Sequence, residues 1–309
     1  MLRCLFAAAL LGLALCVPPV SAAADGAHTL TVAGVERSYL LHRPPQWHAG
    51  KRMPLVIALH GGGGSGVQMA RDSGLDTTAD AHGFLALYPN GSGRGRLLTW
   101  NAGDCCAYAQ RENIDDVGFL LALIDRAIAA HGADPERIYV AGMSNGAMMA
   151  YRLAALQPGR IAAVGAVSGT MDATLVPRGA VPVMHVHGTA DRLVPFAGGR
   201  GDRTVLIGTR NSVADTIAAW IRANRADPRA RSTPLPDSSD DGMHAIEHRH
   251  RAGADPRNVV LIEVVGGGHA WPGPVRIERK AGLATRDFDV NELLWNFFRA
   301  HSRPVAKAR

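Results

Sequence analysis

Residues 137–155 read Arg-Ile-Tyr-Val-Ala-Gly-Met-Ser-Asn-Gly-Ala-Met-Met-Ala-Tyr-Arg-Leu-Ala-Ala, and this stretch decides the fold. Residues 137–141 have the apolar, β-branched character of a buried strand, whereas residues 147–155 are helix formers throughout. The Gly-x-Ser-x-Gly pentapeptide between them therefore lies at a strand–turn–helix corner. Glycines let the backbone turn there, and the serine hydroxyl points out from the end of the sheet. Ser144 is thus the candidate nucleophile; the alternative is a small residue in a glycine-rich turn.

Two other reactive side chains also follow predicted strands. The apolar run at residues 181–187 leads into Gly-Thr-Ala-Asp, which places Asp191 just past a strand end. The last core strand, residues 258–265, leads into a glycine-rich loop that carries His269. A serine hydroxyl needs a base to take its proton and an acid to orient that base. The sequence therefore predicts a triad of Ser144, His269 and Asp191, while a turn-capping aspartate is the alternative for Asp191.

A second glycine-rich element follows another core strand. Residues 54–59 form a continuous apolar run, and residues 60–65 read His-Gly-Gly-Gly-Gly-Ser. Exposed backbone N–H groups after a core strand suit an oxyanion hole, to which we assign the N–H of Asn145 and one from Gly62 or Gly63. A phosphate-binding loop is disfavoured because no Gly-Lys-Ser/Thr follows.

The order of the elements predicts the fold class. Strands and helices alternate through most of the chain, which indicates an α/β protein with a mainly parallel sheet flanked by helices and right-handed crossovers. Residues 28–43 predict an antiparallel hairpin at one edge of this sheet. The short join between residues 167 and 181 leaves no room for a large lid domain, so we expect an open site.

Length and charge limit the classes of function. The chain has 309 residues and a formal net charge of +6, which fits one large domain over residues 25–309. Lysines and arginines are scattered, so nucleic-acid binding is not expected. A mildly basic solvated surface is the default interpretation, with attraction to acidic polysaccharide as the alternative.

The first 24 residues predict an export signal. Arg3 precedes an apolar core at residues 5–17, and residues 20–24 offer small-residue cleavage sites. The apolar run is too short for stable membrane insertion, so we expect a periplasmic or extracellular protein. Lipidation at Cys16 is disfavoured because the bulky Leu15 precedes it.

Signal cleavage would leave Cys105 and Cys106 as the only cysteines. In an oxidising compartment the two adjacent thiols are either free or joined in a vicinal disulfide, which the compartment favours. Two neighbouring cysteines do not make a zinc site. The histidines on one face of residues 244–251 are compatible with a metal site, although a solvated sheet face is the commoner arrangement; they are His244, His248 and His250. The predicted chemistry needs no metal or organic cofactor.

Six segments together resemble the polyhydroxybutyrate-depolymerase-like esterases, relatives of the feruloyl and acetylxylan esterases of carbohydrate esterase family 1. They are residues 60–65, 100–106, 115–119, 142–146, 187–191 and 267–273. The resemblance implies an α/β-hydrolase fold and a serine carboxylic-ester hydrolase. Trp100 and Trp271 are its candidate substrate-binding residues, although packing of the loop is an equal alternative for Trp100.

The resemblance implies an ester substrate, either a hydroxyalkanoate oligomer or a feruloyl or acetyl ester of a polysaccharide. Enzymes that degrade insoluble polyester usually carry a linker and a binding domain, and their absence from this sequence favours soluble esters. Two alternatives stay open: an inactive binding module for cell-wall glycans, and a peptidase that uses the same triad. The sequence determines neither the acyl specificity nor the oligomeric state.

Overall fold

A computed structural model of the chain describes residues 26–95, 97–202, 209–253, 255–273 and 282–303. The strands are β1 Gly26–Val32, β2 Val35–His42, β3 Met53–Leu59, β4 Leu85–Pro89, β5 Ser92–Arg94, β6 Leu97–Thr99, β7 Ala133–Met143, β8 Ala163–Val167, β9 Val183–Gly188, β10 Arg231–Pro234, β11 His244–Ala252 and β12 Asp255–Val265. The helices are α1 Gly66–Ser73, α2 Leu75–His82, α3 Ala107–Arg111, α4 Asp116–Ala130, α5 Asn145–Leu156, α6 Val213–Asn224 and α7 Val290–Phe298, with a 3₁₀ turn at Pro158–Arg160.

Ten of the described strands form one sheet in the order β1-β2-β4-β3-β7-β8-β9-β12-β11-β10. The six central strands, from β4 to β12, pair in parallel. The strands at both ends pair antiparallel, including the predicted hairpin β1–β2. Parallel strands joined by crossovers open their carboxyl ends at one edge, where ligands bind in such folds. The α/β class and the mainly parallel sheet are confirmed.

The core lies on both faces of this sheet because side chains of a strand alternate in direction. In β3, Leu55 and Ile57 join the core beneath α4, α5 and α6. Val56 and Ala58 join the opposite core, beneath α1, α2 and α7. Every residue of β3 is buried, which explains why the sequence shows a continuous apolar run rather than an alternating one.

Two predicted segments differ from the structure in detail. The sequence predicts one helix around residues 72–82, but these residues are divided between the end of α1 and the whole of α2, because Gly74 adopts a left-handed conformation with φ of 65° and ends α1. Residues 89–113 have no periodic pattern in the sequence, yet they contain the hairpin β5–β6 and the short helix α3. Asp115 caps α4, as predicted, by accepting the N–H of Gly118 at 2.8 Å.

The alternating pattern of residues 244–251 predicts an edge strand, but β11 is not the outermost strand. Strand β10 pairs outside β11, within a polar stretch that the sequence indicates as irregular. All four residues of β10 are exposed, so backbone pairing and a side-chain hydrogen bond from Ser232 to His248, rather than apolar packing, hold this strand in place. Such a strand carries no hydrophobic signal that a sequence pattern could report.

The site edge of the sheet is open. The described residues 168–182, which join β8 to β9 and where a lid domain would be inserted, contain no helix or strand. Among the described helices, none has the length and apolar character needed to span a bilayer. The predicted signal at residues 1–24 lies outside the described residues.

Candidate active site

Ser144 occupies the sharp turn between β7 and α5. Its backbone has φ of 55° and ψ of −121°, a conformation that residues with a Cβ rarely adopt. The turn needs glycine on both sides: a Cβ on Gly142 would lie 2.4 Å from the carbonyl carbon of Gly146. A Cβ on Gly146 would lie 2.2 Å from the carbonyl oxygen of Leu59. Close packing of α5 against β3 therefore accounts for the pentapeptide pattern.

Asp191 and His269 form a buried pair at the carboxyl ends of β9 and β12. The Nδ1–H of His269 donates to Oδ2 of Asp191 at 2.8 Å. Oδ1 of Asp191 accepts the backbone N–H groups of Leu193 at 2.8 Å and Val194 at 2.9 Å. Burial alone would raise the pKa of Asp191, but the hydrogen bonds from His187 and His269 outweigh it and hold this pKa well below its usual range. The carboxylate is thus charged and fixed in orientation.

Ser144 and His269 belong to segments that pack against the same short stretch. A Cβ on Gly169 would lie 2.3 Å from the carbonyl oxygen of Ser144, and Oγ of Ser168 donates to the carbonyl of Ala270 at 3.4 Å. Among the described residues, the hydroxyl of Ser144 makes no hydrogen bond to His269. The structure therefore joins Asp191 and His269 directly and packs the segments of Ser144 and His269 against the same residues, 168 and 169. Catalytic hydrogen bonds of this kind commonly tighten once substrate is bound.

The backbone N–H groups predicted to hold an oxyanion are only partly available. Gly63 donates its N–H to the carbonyl of Leu98 at 2.8 Å, so it is occupied. The N–H groups of Gly62 and Asn145 have no acceptor within the described ranges, and a Cβ on Gly62 would lie 3.7 Å from Cβ of Asn145. The assignment of Gly63 is therefore corrected in favour of Gly62, because hairpin β5–β6 packs on the glycine loop in a way the sequence does not reveal.

His60 fixes the start of the glycine loop. Its Nδ1–H donates to the carbonyl of Gly61 at 2.8 Å, and its Nε2 accepts the N–H of Gly91 at 3.0 Å. These roles require a neutral ring with its proton on Nδ1. Burial, together with the charge of Arg37, lowers the pKa of His60 from 6.5 to about 4, against a smaller opposing effect of the Gly61 hydrogen bond.

His60 makes the fold acid-sensitive in a defined window. The unfolded chain binds a proton at His60 near pH 6.5, whereas the folded protein does so only near pH 4. Acidification through that window therefore favours unfolding, by about 1.4 kcal/mol per pH unit for this group. We expect the free energy of unfolding of His60→Gln, which keeps an acceptor for Gly91, to fall less steeply than that of the wild type between pH 6.5 and 4.

Urea titrations at several pH values measure this difference. His131, whose pKa burial and Arg43 also lower to about 4, contributes equally to both proteins and cancels. Identical slopes for wild type and variant would contradict the assignment.

The interpretation of Trp100 as a stacking residue is corrected. Its side chain is fully buried, and its Nε1–H donates to the carbonyl of His60 at 3.0 Å, so it packs beneath the glycine loop. The backbone N–H of Trp100 donates to Oδ1 of Asn145 at 2.7 Å, and its carbonyl accepts from Nδ2 of Asn145 at 3.0 Å. The Asn145 side chain thus holds the segment against the elbow, a role that sequence reasoning missed.

A buried ion pair between Arg37 and Asp116 holds Asn101, the residue that follows Trp100. Asp116 accepts the backbone N–H of Asn101 at 2.8 Å and the Nη2–H of Arg37 at 2.8 Å. The Arg37 guanidinium also lies 4.0 Å from the centre of the Phe119 ring. The two adjacent aspartates at the start of α4 thus have different roles: Asp115 caps the helix, and Asp116 binds Asn101 and Arg37. The adjacent aspartates were visible in the sequence. Which of them caps the helix and which forms the ion pair depends on Arg37, which is distant in the chain.

Cys105 and Cys106 form a disulfide in the structure, and both are buried. The N–H of Cys106 donates to the carbonyl of Trp100 at 3.2 Å, and Nδ2 of Asn145 lies 3.9 Å from Sγ of Cys105. The two cysteines therefore contact Trp100 and the side chain of Asn145, whose backbone N–H is one of the candidate oxyanion donors.

Trp271 remains a candidate for substrate contact. It is partly buried, and its Nε1–H donates to Oδ1 of Asn291 at 3.0 Å, which fixes the ring. It lines a cleft together with the glycine loop, Met69, Asp72 and Met143. Met143 precedes Ser144 and Ala270 follows His269, so the cleft lies beside the proposed catalytic residues.

The histidines of β11 have ordinary partners. His248 contacts Oγ of Ser232 at 2.8 Å through Nδ1 and Oε2 of Glu263 at 3.0 Å through Nε2. Nδ1 of His250 donates to the carbonyl of Asp227 at 2.9 Å. Within the described ranges, no cluster of three or more His, Cys, Asp or Glu side chains is arranged to hold a metal ion.

The sheet topology, the serine elbow and the acid–histidine pair define an α/β-hydrolase. The chain belongs to the family described as Esterase PHB depolymerase, whose model matches residues 37–199. The predicted family is thereby confirmed, and the protein is a carboxylesterase of the polyhydroxybutyrate-depolymerase and feruloyl-esterase type.

Individual relatives agree with this assignment. The chain is 36% identical over 281 residues to "Putative esterase NocK" of Nocardia uniformis subsp. tsuyamanensis, which covers 87% of this chain and 80% of that one. It is 32% identical over 119 residues to feruloyl esterase B of Neurospora crassa, covering 38% of this chain and 40% of the relative. The acetyl xylan esterase from Aspergillus awamori shares the fold, with a TM-score of 0.60, 17% identity, and coverage of 89% of this chain and 99% of that one.

Proposed function

We propose that this esterase acts through Ser144, His269 and Asp191 and an acyl-enzyme intermediate. The observation that carries the proposal is the buried hydrogen bond from Nδ1 of His269 to Asp191, at the site edge that also bears the Ser144 elbow. With its proton on Nδ1, the imidazole presents Nε2 as the base for the serine hydroxyl.

In the proposed mechanism, Oγ of Ser144 attacks the ester carbonyl while Nε2 of His269 takes its proton. The charged Asp191 stabilises the resulting imidazolium. The N–H groups of Asn145 and Gly62 donate to the tetrahedral oxyanion. The imidazolium then returns its proton to the leaving alcohol, and water, activated by the same histidine, releases the acid. The residues of this route complete the reaction without a metal or organic cofactor.

For the substrate we propose a soluble ester, either a hydroxyalkanoate oligomer or a feruloyl or acetyl ester of a polysaccharide. Relatives bear the names feruloyl esterase B, acetylxylan esterase/xylanase and poly(3-hydroxyalkanoate) depolymerase C. The cleft beside Ser144 is open and combines the apolar Met69 and Trp271 with the polar Gln68 and Asp72. This mixture suits an acyl or alcohol group that is apolar in part and bears hydroxyls.

A labelling experiment with a substrate panel tests the function. A fluorophosphonate probe should label one residue, Ser144, and label it only in folded protein. The protein should hydrolyse p-nitrophenyl acetate and butyrate, and at least one of methyl ferulate, acetylated xylan and hydroxybutyrate oligomers, faster than aminoacyl p-nitroanilides. Folded protein that resists the probe would indicate a binding module, and faster amide cleavage would indicate a peptidase.

We further propose that the protein is exported and that residues 1–24 serve as its signal. Their positive start, apolar core and small-residue end support this assignment. The labelled protein recovered from periplasm or medium should show, by intact mass, loss of the first 22 or 24 residues. An intact amino terminus on exported protein would contradict it.

A further inference from the structure

Two buried histidines stand behind the proposed acid. His185 and His187 lie two residues apart in β9, so they project from the same face of the sheet, and their exposed fractions are 0% and 1%. Nε2 of His187 lies 2.8 Å from the carbonyl oxygen of Val194 and 3.2 Å from Oδ2 of Asp191. The alternating His-Val-His of this strand was the sequence signal, but the pattern is equally typical of simple packing.

The acceptors around this group fix where each hydrogen lies. A carbonyl and a carboxylate can only accept, so Nε2 of His187 carries a hydrogen. In a neutral His187 ring the other nitrogen, Nδ1, then accepts from Nε2–H of His185, at 3.0 Å. Nδ1 of His185 in turn accepts the hydroxyl hydrogen of Tyr151, at 2.7 Å. Burial, reinforced by the neighbouring His187, lowers the pKa of His185 well below its usual value, which agrees with a neutral ring.

The result is a one-directional chain of hydrogen bonds from Tyr151 through His185 and His187 to Asp191. Tyr151 belongs to α5, the helix that begins next to Ser144, whereas the two histidines belong to the strand that precedes Asp191. The chain thus ties the helix of the nucleophile to the strand of the acid. Hydrogen bonds in such a chain polarise one another, and a low-dielectric interior strengthens them.

We propose that His187 is a positioning residue for catalysis: its Nε2–H, shared between the carbonyl of Val194 and Oδ2 of Asp191, holds the Asp191 carboxylate in the plane that His269 requires. Tyr151 and His185 in turn hold His187. The inference rests on the proposed function, in which Asp191 is the acid of the triad. Oδ1 accepts two backbone N–H groups, and Oδ2 accepts Nδ1–H of His269 while it lies 3.2 Å from Nε2 of His187. These contacts determine both the position of the carboxylate and the share of its charge directed at His269.

Within the described ranges, the other contacts given for His187 bring no further charge to its ring. Phe196 contacts its ring edge-on, with centroids 5.9 Å apart. Arg192, the charged residue next to Asp191 in the chain, points outward and pairs with the exposed Asp202 at 2.7 Å. Asp191 and His269 on one side and His185 on the other are therefore the titratable groups that face His187.

A matched pair of variants separates the two contacts of His187. In His187→Gln the amide nitrogen can occupy the place of Nε2 and still donate to Asp191. In His187→Asn the shorter side chain reaches only the place of Nδ1, so it contacts His185 but not Asp191. We expect His187→Asn to lower kcat roughly 10- to 100-fold with KM nearly unchanged, and His187→Gln to keep most of the activity.

The pH profile supplies a readout that general loosening of the core would not change. Loss of the His187 donor leaves more of the Asp191 charge for the His269 imidazolium, so the acid limb of kcat/KM should move to higher pH in His187→Asn by about half a unit or more. It should stay in place in His187→Gln. Tyr139→Phe, which removes a buried 2.8 Å hydrogen bond to the carbonyl of His301, is the stability control and should keep the wild-type profile.

The outcomes distinguish this proposal from the proposed function. The positioning role would be overturned if both His187 variants had the kcat and the acid limb of the wild type. It would also be overturned if both variants lost the same activity and that loss matched their loss in melting temperature. If Asp191→Asn is inactive in the same assay while His187→Asn is unaffected, the positioning role alone fails. If Asp191→Asn keeps the wild-type rate, the triad itself fails.

Discussion

Replacement of Ser144 by alanine is expected to lower kcat for p-nitrophenyl acetate on the order of 10⁵-fold. The variant removes the only group proposed to form the acyl-enzyme and leaves the oxyanion donors in place. Alanine fits the site sterically, because the strained backbone of Ser144 is fixed by the packing of β7, α5 and the glycine loop. KM should change little, since ground-state binding does not use the hydroxyl.

Ser168→Ala is the matched control for this prediction. Ser168 is another serine with positive φ beside the site; it is buried, and its hydroxyl donates to the carbonyl of Ala270 rather than to a base. We expect it to keep activity within a few-fold of the wild type and to retain fluorophosphonate labelling. A rate for Ser144→Ala close to that of the wild type, with Ser168→Ala inactive, would transfer the role of nucleophile to Ser168.

Asp191→Asn is expected to lower kcat by about 10⁴-fold without unfolding the protein. The amide oxygen can still accept the N–H groups of Leu193 and Val194, so the turn should survive. The amide nitrogen would then face Nδ1 of His269 as a donor. His269 would have to carry its proton on Nε2, where it can no longer accept the proton of Ser144.

Kinetics at pH 7 to 9, with circular dichroism to verify the fold, measure this effect. Asp202→Asn is the control, because Asp202 carries the same charge on the surface, where it pairs with Arg192. The control should match the wild type, since exposed ion pairs contribute little. Comparable rates for Asp191→Asn and Asp202→Asn would show that the acid of the site lies elsewhere.

Much of the site was predictable because its reactive side chains come shortly after the ends of strands. Parallel strands deliver their carboxyl ends to one edge, so a serine, an aspartate and a histidine after separate strands were expected to meet there. Their order along the chain, with the glycine loop, was sufficient to predict the fold class and the family, and both are confirmed. The catalytic roles of Ser144, Asp191 and His269 stay a prediction until the variants are measured.

The predictions that the structure corrects, for Gly63, Trp100 and the sheet edge at β10, failed for one physical reason: each depends on contact between segments distant in sequence. Gly62 and Gly63 are equivalent in the sequence, and only the carbonyl of Leu98 distinguishes them. Trp100 is a residue type that often lines binding pockets. Here it is covered by the start of the glycine loop, where the carbonyl of His60 accepts its indole N–H. Strand β10 has no apolar residue facing a core, so its backbone pairing with β11 left no pattern to detect.

Local sequence thus determined where the chain turns and which residues end each strand, because periodicity and glycine placement act over a few residues. Tertiary structure alone decided which N–H groups remain available and which histidines meet the acid. Hydrogen-bond donors and acceptors are paired in three dimensions, and a partner such as Tyr151 for His185 can come from any part of the chain.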